Sequence, residues 1–290
     1  MRDDTKGLLL GLLGVLLFSL TLPATRLAVA VLDPVTVGLG RALVAALLAG
    51  ALLLATRQRR PTGREWRSLA IVALGVVLGF PLLSAWAMTQ VPAAHGAVVL
   101  GVLPLATAAF GALLAGERPV PLFWAVGLLG SALVVVFALR EGGGAVTWPD
   151  LALLAAVAAA ALGYAEGARL SRTLGGWQVI SWALVLAAPF LLWPVADAVA
   201  GVELAAVPWQ AWAAFAYVAV VSQFIAFFAW YRGLALGGIA KVGQLQLLQA
   251  FFALQGAADR LGEAIGGDTR GVGRAVVACV AVGRRLPVRR

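Results

Sequence analysis

The sequence predicts an all-α integral membrane protein of about ten transmembrane helices, arranged as two inverted five-helix repeats. Three observations carry that expectation: apolar runs close to twenty residues long, a one-sided distribution of Lys and Arg, and recurrence of the same features in both halves of the chain. Of 290 residues, 62% are hydrophobic and 12% charged, and the mean hydropathy is +0.96. A soluble domain carries about 25% charged and about 45–50% apolar residues. A water-soluble fold of this composition would have to place apolar side chains over its whole surface, so the bilayer is the expected solvent. In lipid every backbone N–H and C=O must be satisfied within the protein, which leaves helices or closed barrels. Barrel strands would read as roughly ten-residue alternations. Continuous runs near twenty residues are instead the length that spans about 30 Å of hydrocarbon as helix.

In chain order the expected spans are 7–31, 35–55, 68–90, 95–115, 120–139, 150–171, 177–199, 209–231, 240–258 and 272–283. Turn chemistry separates them: Asp33-Pro34, Arg57 to Arg67 with Pro61 and Gly63, Gly116 to Pro119, Gly142 to Gly144, Gly175-Gly176, Gly201 to Pro208, and Gly237-Gly238. The first span mimics a signal peptide, with Ala28-Val29-Ala30 as a cleavage-like site. Arg26 and Pro23 within it, and a comparable segment after the midpoint, favour retention as a helix. Pro23, Pro81, Pro104 and Pro189 lie inside spans and predict kinks. The small-residue sets Gly7, Gly11, Gly14 and Gly127, Gly130, Ser131 predict close helix packing.

The net charge of +9 would suggest a nucleic-acid partner in a soluble protein. Its distribution points elsewhere. With ten spans and the N-terminus inside, sixteen Lys and Arg fall on the inner side (residues 2, 6, 57, 59, 60, 64, 67, 118, 169, 172, 232, 241, 284, 285, 289 and 290) and three on the outer, Arg140, Arg260 and Arg270. Cytoplasmic loops of membrane proteins carry the Lys and Arg excess, so both termini are expected in the cytoplasm of a multi-pass cell (inner or plasma) membrane protein. One cysteine, Cys279, and one histidine, His95, exclude an internal disulfide and argue against a Cys/His metal site. No metal and no cofactor is expected.

The halves, 1–141 and 150–290, repeat. An offset of 146 sets Gly116-Glu117 on Gly262-Glu263 and His95 on Lys241, and an offset of 143 sets Arg26-Leu27 on Arg169-Leu170. Five spans per half is an odd number, so the second repeat sits upside down relative to the first, an arrangement that recurs in secondary transporters with a site at the repeat interface. The order Arg26, Asp33-Pro34, Arg41, the basic loop and Gly116-Glu117, with a second Gly262-Glu263, resembles the EamA-type transporters of the drug/metabolite transporter superfamily over residues 7 to about 254. That resemblance implies a ten-helix carrier of metabolites with a central cavity lined by both halves, and it leaves the substrate open. The pattern departs near the end. Asp259 and Arg260 stand where the first half has Leu113-Leu114, and Arg270 and Arg274 where it has Trp124 and Leu128. An Arg at mid-span costs about 2.5–3.5 kcal/mol on insertion scales.

Candidate site residues follow from polarity inside spans. Glu166 is a deep carboxylate and a proton-coupling candidate or a seat for a cationic group, with a structural pair to Arg169 at i+3 as the alternative. His95, which titrates near neutrality, is the second proton-coupling candidate, against contact with headgroups. Arg26 is a candidate carboxylate ligand, although for both Arg26 and Arg41 a structural role is preferred. Trp86, Gln90, Tyr164, Gln223, Trp230 and Gln249 are candidate cavity-lining residues, since buried amides need partners from other helices, water or solute. Trp66, Trp148, Trp177 and Trp209 suit the aromatic belts.

The expected function is a secondary transporter that moves a small organic metabolite (amino-acid-like, aromatic or amphipathic) by alternating access, with export as the expected direction and lipid and protons as partners. An intramembrane enzyme or a receptor or scaffold is the alternative. No G-x-S-x-G, no H-E-x-x-H and no G-x-x-x-x-G-K-[ST] occurs, which disfavours those enzymes and an ATP-driven pump. Single cysteines placed one at a time in a Cys279→Ser background test the topology. Residue 143 should react with a membrane-impermeant maleimide from outside and residue 63 only after permeabilisation; the reverse pattern would remove the five-plus-five inverted arrangement.

Overall fold

A computed structural model describes residues 3–141 and 146–261 and, beyond them, 271, 274, 275, 278, 279, 282 and 286–289. Among the described residues the regular structure is all helical apart from one short strand pair. In order the helices are α1 (Asp3–Val29), α2 (Pro34–Ala55), α3 (Gly63–Gln90), α4 (Ala93–Ala115), α5 (Pro121–Glu141), α6 (Trp148–Leu174), α7 (Gly176–Ala200), α8 (Trp209–Gly237) and α9, which is in two pieces, Ile239–Gly243 and Gln246–Leu261. Among the described residues seven of these, α1 to α4 and α6 to α8, are long and apolar enough to cross a bilayer. Most of the tenth expected span lies outside the described residues, as do Gly142–Gly144, Glu263 and Arg270. Asp259 and Arg260 stand in the backbone of α9, and Arg274 is helical and exposed.

Local chemistry sets the boundaries. Asp33 Oδ1 accepts from Val35 N (2.7 Å) with Pro34 in the first turn of α2, and Thr62–Glu65 and Thr147–Asp150 form reciprocal capping boxes that start α3 and α6. Gly116 ends α4 at φ +69°, a left-handed conformation that favours glycine. Pro23 and Pro104 act as expected, and Pro189 does not. α1 breaks at Ser19–Leu20, four residues before Pro23 and three before it, and α4 tightens to a 3-10 turn at Leu100–Val102 just before Pro104. α7 runs without a break past Pro189.

Two helices contain π-helical stretches, Ala73–Gly79 in α3 and Tyr217–Ile225 in α8. The repeat offset of 146 carries the first of these onto residues 219–225, inside the second. Their packing is reciprocal too. α1 lies against α8 and α6 against α3, while α2 pairs with α7 and α4 with α9. Exchanging α1 to α4 for α6 to α9 swaps the first two contacts and returns the other two to themselves. The bundle's ends are equally consistent. Asp4 meets Lys241 (3.2 Å), Glu117 meets Ile239 and Ala240, and β1 (Arg118–Pro119) pairs antiparallel with β2 (Val288–Arg289), so the N-terminal helix start and the C-terminal strand share one end.

The surface and interior are distributed as a lipid solvent demands. Leu47, Leu54, Leu74, Phe190 and Trp193 are exposed, whereas Arg41, Glu166, Gln223, Gln246 and Gln249 are buried. Of the four belt tryptophans, Trp148 and Trp209 are exposed; Trp66 and Trp177 are half-buried against Trp182 and Phe228. Lipid tails are as apolar as Leu, so helix association rests on close van der Waals contact. Small residues supply it at both α1–α8 and α3–α6. Backbone of Gly7 and Gly11 faces Gly233 and Gly237, and Gly75 faces Ala159 and Gly163.

A Cβ on Gly233 would lie 2.6 Å from Gly11 N and 2.9 Å from Gly7 O, atoms that no side-chain rotation can move. Gly233→Ala should therefore destabilise the protein by about 1–3 kcal/mol, the usual cost of overpacking. Gly63→Ala, with nothing within 4 Å of the new methyl, should leave the melting temperature in detergent unchanged. Equal melting of both variants would show that α1 and α8 are not held this closely.

Candidate functional site

The break in α1 and the two π-stretches converge on one interior cavity. Its walls are Phe18, Thr21, Arg41, Val76 and Phe80 from the first half and Tyr164, Ser222, Gln223, Phe227 and Gln249 from the second. The free space is about 10 Å³, on the scale of a single water molecule. Both π-stretches contribute to it, and they are tied to each other: Gln223 Nε2 donates to the Val76 carbonyl (2.9 Å). A π-stretch offsets the regular ladder and leaves carbonyls free for other donors, which is the form of that bond. At the α1 break the Tyr217 hydroxyl donates to the Leu17 carbonyl (2.8 Å), and Thr21 Oγ1 and Ser222 Oγ lie 2.8 Å apart.

Aromatic rings build one side of the cavity. Phe18 meets Phe227 edge-on at 5.1 Å between centroids, and Tyr164 meets Trp230 at 5.5 Å. Trp230 is fully buried beside this wall, and its indole Nε1 has no hydrogen-bond partner among the described residues. Gln249 Oε1 is unpartnered in the same sense. Arg41 is the most unusual member of the lining. It is 1% exposed, its Nε and Nη1 have no partner, and it forms no ion pair among the described residues. Its guanidinium carbon stands 5.9 Å from the centroid of Phe80, at the outer limit of cation–π contact. An unpaired guanidinium inside a span is costly.

Of the residues singled out from the sequence, Tyr164, Gln223 and Gln249 line this cavity and Trp230 packs next to it. The others are elsewhere. Glu166 is buried, and its carboxylate accepts from Arg169 Nε (3.0 Å) and Nη2 (2.5 Å), the pair anticipated from i,i+3 spacing; Arg169 Nη2 also reaches Ser68 Oγ on α3 (3.2 Å). His95 Nε2 donates to Asp150 Oδ1 (2.6 Å), so it ties the start of α4 to the start of α6. Asp150 and Glu166 are roughly 24 Å apart along α6 at 1.5 Å per residue. The two proton-coupling candidates, His95 on α4 beside the start of α6 and Glu166 well along α6, are therefore far apart and do not form a single relay. Arg26 Nη1 donates to the Met88 carbonyl in the last turn of α3 (2.5 Å). Trp86 is 38% exposed and Gln90 is exposed at the end of α3. A larger hollow of about 330 Å³, lined by Pro23, Ala24 and Leu27 of α1 and Trp209, Gln210 and Tyr217 of α8, is largely apolar and carries no charged residue.

The EamA-like transporter family profile matches residues 5–140 and again residues 147–277. The chain belongs to the EamA-like transporter family. It is 51% identical over 286 residues to the uncharacterized transporter YdeK of Bacillus subtilis (strain 168), with 99% of each chain covered. It also superposes on a crystal structure of a protein with a TM-score of 0.72 at 22% identity, covering 97% of this chain and 96% of that one. That likeness shows the fold alone. Membership makes the chain a membrane transporter, with a small-molecule solute and a lipid surround, and points away from an enzyme. The profile thus matches once in each half of the chain.

Within this EamA-like chain the sequence reading missed Arg41 as a cavity residue, along with Phe18, Thr21, Phe80, Ser222 and Phe227. A signal existed for Arg41. Its i±3 and i±4 neighbours are Gly38, Val44, Val37 and Ala45, so no local carboxylate can neutralise it, in contrast to Glu166 with Arg169.

Glu117 follows directly on the end of α4, where a carboxylate is ordinarily hydrated. It is instead 2% exposed, and its two oxygens accept from Ile239 N and Ala240 N (2.8 Å each), which caps the start of α9 from the opposite half. Glu117→Ala would leave two buried donors unpaired, at about 1–3 kcal/mol for such a group. The variant should melt measurably lower in detergent than Glu65→Ala, whose ion pair with Arg59 is half-exposed. A Glu117→Ala protein as stable as wild type would show that water replaces the carboxylate there.

Proposed function

We propose that the chain is a secondary transporter that exports a small organic solute (amino-acid-like, aromatic or amphipathic) by alternating access between two inverted five-helix repeats, with ten spans and both termini in the cytoplasm of the cell membrane. The observation that carries this reading is a polar and aromatic cavity to which both halves contribute, located where the α1 break meets the π-stretches of α3 and α8. The reciprocal contacts α1–α8 with α3–α6, and the self-paired α2–α7 and α4–α9, support a two-fold relation between the repeats. The Arg and Lys distribution supports the orientation. Irregular helix at the centre of the bundle supports motion, because a π-stretch can change register with little loss of hydrogen bonding. The amide and aromatic lining supports a solute with one polar and one apolar end.

Proton exchange in this reading belongs to Glu166. Neutralising it would weaken its pair with Arg169, the residue that joins α6 to Ser68 of α3, helices that pack against each other. His95, held by Asp150, is the competing group. Proteoliposomes preloaded with unlabelled amino acids or an amphipathic amine should accumulate the labelled counterpart by exchange, and an imposed proton gradient should enhance net uptake. Glu166→Gln should keep exchange and lose the response to the gradient. If the response survives in Glu166→Gln and disappears in His95→Gln, the coupling role moves to His95. Protein-dependent exchange of no solute in the set would remove the transport reading itself.

A further inference from the structure

We propose that Arg41 is the anchor for a carboxylate on the transported solute, so that the substrate class is a small organic acid or zwitterion with an apolar end. This rests on the transporter reading and deepens it. Buried cations in membrane proteins pair with carboxylates or backbone carbonyls. Arg41 does neither among the described residues, although it is buried and lines a cavity to which both repeats contribute polar side chains. Other cations within spans behave differently: half-buried Arg26 is bonded to the Met88 carbonyl, and half-exposed Arg169 to Glu166. Arg41 is the one charged side chain in the lining of this cavity, its Nε and Nη1 have no partner among the described residues, and a carboxylate is the group a guanidinium pairs with most strongly.

The rest of the lining fits the remainder of such a molecule. Gln249 Oε1, an unpartnered acceptor on the same cavity, suits a donor such as an ammonium, and Phe18, Tyr164 and Phe227 offer apolar ring surface. Space for about one water means that this conformation is closed on the site. Solute enters when the repeats part, and it supplies the counter-charge that Arg41 lacks among the described residues. Such an arrangement couples solute binding to burial of the cation: an empty carrier closes over an unpaired charge, whereas a loaded one closes over a neutral pair.

The test is thermal stability and ligand-induced stabilisation of the purified full chain in detergent. The probes are matched pairs, 3-phenylpropionate with its amide, phenylalanine with phenylalanine amide, and octanoate with octanamide. Wild type should be stabilised by at least one carboxylate and not by its amide. Arg41→Met should retain or raise the ligand-free melting temperature, because it removes an unpaired buried charge, while it weakens the carboxylate by roughly ten- to a hundredfold, as expected for hydrogen bonds to a charged group. Arg41→Lys should recover part of that binding. A lower ligand-free melting temperature for Arg41→Met with carboxylate binding unchanged would make Arg41 structural and overturn the proposal. So would a wild type that responds equally to acid and amide, or to neither. Exchange of a cationic or neutral solute in proteoliposomes, with no carboxylate effect, would overturn the Arg41 role and leave the transporter reading standing.

Discussion

Lipid offers no hydrogen bonds, so each polar group inside this bundle must find its partner within the protein. That constraint orders most of what the structure contains. It makes the spans helical, because a helix satisfies its own ladder. It explains how several irregular positions are bonded: the α1 break by Tyr217, the π-stretch of α3 by Gln223, the last turn of α3 by Arg26, and the first turn of α9 by Glu117. All four of these bonds join one half of the chain to a backbone group elsewhere in the fold, and three of them cross between the halves. Polar residues that looked like site chemistry are thus in several cases the means by which broken helices are tolerated.

The same constraint makes the exceptions informative. Arg41, Gln249 and Trp230 are among the buried residues with unpartnered polar atoms, and these three stand on or beside one cavity. Thr25, Thr36, Ser171 and Trp182 are others, so what sets the cavity apart is the charge of Arg41. Among the described residues that guanidinium has no ion-pair partner, although Arg26 finds the Met88 carbonyl 62 positions away. A carrier needs such a place, since a site already satisfied by the protein has little reason to bind solute.

Packing and motion are reconciled by glycine. At α1–α8 and α3–α6 the backbones touch, which gives extensive dispersion contact without interlocking side chains. Surfaces of that kind can slide without large rotamer barriers. The ion pairs and caps stand at the ends of the helices, with Asp150–His95 at one end of α6 and Glu166–Arg169–Ser68 towards the other. The centre of the bundle is left to aromatic rings, amides and one cation.

Much of the fold was legible without coordinates, because lipid imposes length and apolarity on each span and turn residues punctuate them: the helix limits follow Asp33-Pro34, Gly116 and Gly175 closely. The glycines of α1 and the kinks at Pro23 and Pro104 were readable for the same local reasons. The candidate site was legible only in part. Gln223, Gln249 and Tyr164 were marked by polarity within apolar runs, but the same mark fell on Glu166 and His95, whose partners are Arg169 and Asp150, and on Gln90 at a helix end. Residue type and spacing by themselves determined that this chain is a helical membrane bundle of two related halves. Which polar groups face each other, and therefore which of them is left unsatisfied, was decided only by tertiary structure. Arg26 and Arg41 are chemically identical and fifteen residues apart, and only the packing of α3 against α1 and α2 gives one of them a carbonyl and the other an empty cavity.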